Sequence, residues 1–147
     1  ADADTVTDFA HGATGDVLDV SAVTTLDTAT TQTQISAATF NVIAAASTNA
    51  ETFDDNEILF LEGTTAEVGT KTLVAAEFAA SKAFEAVTSG DNMIIVVSDS
   101  DTGDSYVYEA LDTGNTTLVA GELTLLATLT GVSAADATLF SADNFGL

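Results

Sequence analysis

Polar and apolar residues alternate over Thr5-Val6-Thr7-Asp8-Phe9, the period-two pattern of a half-buried strand. A turn-rich link, His11-Gly12-Ala13-Thr14-Gly15, leads to a second short strand at Val17-Leu18-Asp19-Val20. Residues 24–34 are rich in Thr and poor in large apolar groups, which predicts a surface loop or an edge strand. Phe40-Asn41-Val42-Ile43 predicts a strand, residues 50–56 an acidic loop, and Ile58-Leu59-Phe60-Leu61 a buried strand ended by Glu62-Gly63. Over residues 72–87 the period changes. Leu73, Ala76, Ala80, Phe84 and Val87 recur three or four apart and make one apolar face of a helix. Strands then return. Met93 to Ser98 is apolar without a break, as in a central strand. Asp99 to Asp104 is a turn by composition, and Ser105-Tyr106-Val107-Tyr108-Glu109 is its hairpin partner. Leu118-Val119 and Leu123 to Leu129 add one or two strands. Ser133 is placed to cap a short helical turn, and residues 139–145 are apolar enough to dock on the domain.

This pattern predicts a mainly β fold: a single antiparallel-rich domain over residues 1–147, sandwich or roll-like, with one helix near 72–87. Phe60, Ile94, Val96 and Leu125 are expected in its core. Tyr106 and Tyr108, two apart on a strand, face the same side and are expected to pack on the sheet. No repeat of fixed period is visible, so a solenoid is not expected.

Charge sharpens this picture. The chain holds 23 acidic residues against two lysines, Lys71 and Lys82, and its formal net charge is -21. Such a surface repels nucleic-acid phosphates and anionic lipid headgroups. Disorder is not expected, because 46% of the residues are hydrophobic. The self-repulsion calls for cations, either as screening salt or as divalent ions at clustered carboxylates. The acids gather in turn-like segments, which favours divalent ions. There is no Cys, so disulfides and thiolate metal sites are excluded. The apolar runs are too short for a helix to span a bilayer. The chain starts at Ala1 without a basic or apolar leader, and we expect it to be a fragment or processed piece of a longer polypeptide.

Two acidic constellations are candidate metal sites. Asp2, Asp4, Asp8, Asp16 and Asp19 occupy the first twenty residues with no Lys or Arg among them. A hard divalent cation with oxygen ligands would relieve their repulsion, and solvated outward-facing carboxylates are the simpler reading. Asp99, Asp101 and Asp104 resemble the start of a calcium loop. They lack the Gly at the sixth position and the closing Glu of an EF-hand, and an exposed hairpin turn explains them as well. Catalytic patterns are thin. His11 is the only imidazole, there is no Arg, no phosphate-binding Gly loop and no Trp to form a sugar platform. No enzymatic activity is expected.

The run Asp4-Thr5-Val6-Thr7-Asp8-Phe9 followed by Gly15-Asp16-Val17-Leu18-Asp19-Val20-Ser21 resembles the unit that closes the calcium β-roll of repeats-in-toxin proteins, with Val20 where the pattern has Leu. Residues 94–97, 103–108 and 125–132, ending in 140–145, resemble the C-terminal domain of S-layer-like surface proteins exported by type I secretion. The two resemblances cover residues 1–21 and 90–147, and the segment between them matches only loosely. The glycine-rich nonapeptide repeats that precede the first unit in that family are absent here. The resemblance implies a non-enzymatic, extracellular module of a bacterial cell surface, stabilised by calcium and associating with itself or a surface partner. It implies an uncleaved secretion signal at the C-terminal end, and Asp16 and Asp19 as calcium ligands supported by Asp8. The alternative is a free-standing subunit of an extracellular filament or sheath assembled by strand-edge pairing.

Overall fold

The computed structural model describes residues 3–12, 14–20, 40–44, 51–52, 58–64, 70–81, 84–85, 92–111, 113 and 118–146. The Thr-rich segment 24–34, most of the acidic loop after Thr52, Val87 and Asp2 lie outside them.

Asn92–Asp99 (β7) is the centre of the molecule. Its apolar run is unbroken because both of its faces are covered. Ile94 and Val96 point into one cluster with Phe9, Val20, Ile58, Phe60, Val107, Ala127, Leu129, Val132, Phe140 and Phe145. Met93, Ile95 and Val97 point into another with Val74, Ala75, Tyr108, Ala110, Leu118 and Leu123. The polypeptide around it is mainly strand. Among the described residues the elements in chain order are β1 (Asp4–Val6), β2 (Leu18–Asp19), β3 (Phe40–Ala44), β4 (Glu51–Thr52), β5 (Ile58–Thr64), a single α-helix α1 (Lys71–Ser81), β6 (Phe84–Glu85), β7, β8 (Ser105–Leu111), β9 (Leu123–Leu129) and β10 (Phe145–Gly146). Among the described residues, 3-10 turns at Ala120–Glu122, Ala134–Leu139 and Ala142–Asn144 flank and follow β9.

Six strands form one sheet in the order β1-β9-β8-β7-β5-β3. The sheet is mixed. The middle ladders, β7 with β8 and β8 with β9, are antiparallel, as the hairpin reading predicts. The outer ones, β1 with β9 and β3 with β5 with β7, are parallel. Parallel neighbours need a long crossover, and between β5 and β7 that crossover contains α1. Two-stranded parallel pairs, β2 with β10 and β4 with β6, complete the set.

The helix is shorter than its periodicity predicts. Four alanines and a leucine favour it, and the Thr70 carbonyl accepts from the Leu73 and Val74 amides to start it. It ends at Ser81, and Phe84–Glu85 instead pairs with Glu51–Thr52. Its buried face is also rotated: Val74 and Ala75 are buried, whereas Ala76 is exposed. The expected core residues Phe60, Ile94 and Val96 have no solvent exposure, and Leu125 is half-buried against the helix-side cluster.

A bulge in β9 decides which face its leucines serve. Val107 faces Ala127, but Tyr108 faces Leu125, so Leu126 is one residue in excess. Leu123 and Leu125 therefore pack on the helix side, while Leu126, Ala127 and Leu129 pack on the opposite side.

Candidate functional site at the junction of the chain ends

The N-terminal and C-terminal segments meet on the face of the sheet opposite the helix. β1 lies parallel to β9 with Asp4, Thr5 and Val6 beside Ala127, Thr128 and Leu129. Leu18 and Asp19 lie beside Phe145 and Gly146. The sequence suggests one strand–turn–strand unit; in the structure its two strands join different sheets, each paired to the far end of the chain. Between them Phe9 stacks on Phe140, with ring centroids 5.5 Å apart, and Phe140 also meets Phe60 at 5.2 Å.

The loop from Ala10 to Asp16 is closed by its own residues. The Ala10 amide donates to Asp16 Oδ2 (2.8 Å), and the Gly15 amide to the Gly12 carbonyl (2.8 Å). Gly15 is required there: a Cβ on it would sit 2.0 Å from the Ala10 carbonyl oxygen. Asn144, which has no solvent exposure, fastens this loop to the C-terminal segment. Its Oδ1 accepts from the Gly12 amide (3.0 Å) and the Ser141 amide (3.1 Å), and its Nδ2 donates to the Gly12 (3.1 Å) and Asp16 (2.9 Å) carbonyls. Two acceptor and two donor positions are thus all used.

Beside it, Asp136 Oδ2 accepts from the Ser133 amide (2.8 Å) and hydroxyl (2.9 Å), capping the 3-10 turn that the sequence predicts at Ser133. His11 Nε2 lies 3.3 Å from Asp136 Oδ1. The Ser133 amide above all, then its hydroxyl and the His11 ring, hold the Asp136 carboxyl below the usual range against an opposing effect of burial. Chemically, Ser133 Oγ is engaged with the carboxylate and not with the imidazole. The trio is therefore a capped turn with a His11–Asp136 contact, and a serine nucleophile would need its hydroxyl on the His.

The six candidate metal ligands are all among the described residues. Asp8 and Asp16 are exposed, and Asp19 is exposed on β2. Asp99 is buried at the start of the β7–β8 turn, where its Oδ1 accepts from the Asp101 amide (2.8 Å) and the Thr102 amide (3.3 Å). Asp104 Oδ1 accepts from the Gly131 amide (2.8 Å), tying that turn to the one after β9. Asp101 is exposed. Gly103 supplies the left-handed backbone of the turn, at φ 72°. Among the described residues no three or more His, Asp or Glu side chains gather as a metal ion would require. Asp16, Asp99 and Asp104 each spend a carboxylate oxygen on backbone amides.

Sequence reasoning misses Asn144 and Glu122. Glu122 is buried; its Oε1 accepts from the Thr113 amide (3.2 Å) and hydroxyl, and its Oε2 from the Val119 amide (2.9 Å). A lone acid between two apolar runs was the available signal for Glu122. For Asn144 there was none, since its partners Asp16 and Gly12 lie 128 and 132 residues away.

The architecture thus defines a mixed-sheet β domain with one crossover helix and interlocked ends. No family model, no curated protein and no solved structure matches the chain. Among the described residues no helix is long and apolar enough to cross a membrane.

Proposed function

We propose that the chain is a non-enzymatic structural module of an extracellular, type I secreted bacterial surface protein, stabilised by calcium and associating with itself or with a surface partner. One observation carries this reading. The two segments that resemble that family, at the start and at the end of the chain, lie together as one body: β1 on β9, β2 on β10, and Asn144 bonded to both Gly12 and Asp16. A β-roll closing unit and a C-terminal domain that share one core make a single terminal module.

Calcium enters the proposal through charge. At a net charge of -21 a bound divalent ion would offset the self-repulsion of the chain, and the exposed carboxylates of Asp8, Asp16 and Asp19 would contribute to holding it. A ligand that binds only the folded chain stabilises it by about 2.7 kcal/mol at a hundredfold excess over its dissociation constant. The test is the melting temperature in calcium, in magnesium and in chelator, for the unmodified chain and for D16N/D19N. Calcium should raise it above magnesium at equal ionic strength, and the double variant should lose that increment while matching the parent in chelator. Equal melting in all three solutions would refute calcium stabilisation.

A filament subunit joined through sheet edges is favoured by one feature. β1 covers only Ala127 to Leu129, so among the described residues the first four positions of β9 have no neighbouring strand on that side. Sedimentation of the bare chain separates the readings: open-ended growth supports the filament, a fixed small species the terminal module.

A further inference from the structure

We infer that the two chain ends, residues 3–20 and 132–146, open and close as one unit upon a sheet that stays folded beneath them, with Asn144 as the latch. This holds whatever surface or partner the protein serves.

The first ground is where the bonds go. From Phe9 onward the N-terminal segment bonds to residues 132–146: Phe9 stacks on Phe140, Gly12 and Asp16 bond Asn144, and the Val20 amide donates to the Gly146 carbonyl (2.8 Å). Asp4 to Val6 tie it to β9 at the edge of the sheet by only three register pairs, with the Val6 carbonyl accepting from the Thr130 amide (2.8 Å) just beyond them. The second ground is the Asn144 amide itself. Two of its hydrogen bonds use the Gly12 peptide group, one uses Asp16 and one uses Ser141 within its own turn. If either segment lifted alone, Asn144 would lose three of its four protein bonds and Phe9 and Phe140 their stacking, whereas a joint opening keeps all of these. The half-open state is therefore disfavoured and the two segments move together. The third ground is the contrast with the sheet below. The Met93 to Val97 side chains are all fully buried, and β7 and β8 share seven register pairs, against three for β1 with β9 and two for β2 with β10. Local opening follows such differences in ladder length and burial.

Native-state hydrogen exchange read by mass spectrometry along a urea series tests this on the full chain. In the unmodified protein, peptides from 3–20 and from 132–146 should share one opening free energy, below that of peptides from 93–98 and 105–110. N144A should speed exchange in both end segments by the same factor, about tenfold or more, the loss expected when several buried hydrogen bonds go. F9A, placed on the opposite segment, should do the same to residues 132–146. Protection over 93–98 should survive both changes. Exchange that rises only in the altered segment overturns the inference. So does a single opening free energy shared by the ends and the central strands of the unmodified chain, a result that needs no variant to fold.

Discussion

Asn144, Asp136, Asp99, Asp16 and Glu122 share one habit: each answers backbone amide groups. With two lysines in the whole chain, carboxylates cannot be satisfied by cationic side chains, and peptide N–H groups take that role. The habit makes stability depend on pH at both ends. Asp136 titrates below its ordinary value when folded, so its contribution is full above about pH 4 and fades as the pH falls through the folded value. D136N should cost about 1 kcal/mol at pH 7, the scale of a lost cap, and the gap from the parent should narrow as the pH falls below the ordinary carboxylate range in urea titrations. At the other end, burial first and the neighbouring Tyr106 second push the Tyr108 phenol up to about 12. The unfolded chain ionises near pH 10, so Tyr108 disfavours folding progressively from there to pH 12, and Y108F should flatten that alkaline decline. Glu122 gives a further test. E122A removes the acceptor of the Thr113 and Val119 amides and should lower the unfolding free energy by about 1 kcal/mol in urea.

Among the elements, β9 shows how a sheet accommodates a bulge. Leu126 is the residue in excess, with Leu123 and Leu125 on the helix side and Ala127 and Leu129 on the other. Deleting Leu126 would bring Leu125 and Ala127 together opposite Tyr108 and Val107, each still on its present face, so the variant should unfold cooperatively and lose only the packing of Leu126 itself. Ile94→Ala should cost about 2–5 kcal/mol and keep the transition sharp, as circular dichroism during urea titration would record. The same elements show what was legible. β7 could be read because a strand buried on both faces leaves an unbroken apolar run, and β8 because its turn announces itself in Asp and Gly. The helix could be located but not phased, since alanines fit a buried or an exposed position equally. β1 and β2 could be seen as strands, yet their partners could not: a parallel pairing across more than a hundred residues leaves no turn in the sequence. The acids of 99–104 were readable as a turn, whereas the clasp around Asn144 rests on tertiary contacts alone.

At the scale of the molecule, charge and topology oppose each other. The net charge of -21 pushes the chain apart, and the sheet with its two covered faces holds it together. Screening should therefore raise the melting temperature steadily between about 0.01 M and 1 M sodium chloride, as the Debye length shrinks from about 30 Å to 3 Å. A melting temperature independent of salt over that range would mean that the carboxylates are too far apart to matter.

The direction of β1 has a mechanical consequence. It runs alongside β9 and not against it, so the chain enters at one end of that short ladder and leaves β9 at the other. Tension applied between the two termini would slide the strands past each other. The positions of Asp4, Thr5 and Val6 would then bear the load together, where an antiparallel hairpin pulled from its open end gives way one pair at a time. A chain held at one end and dragged from the other would resist in proportion to the whole ladder.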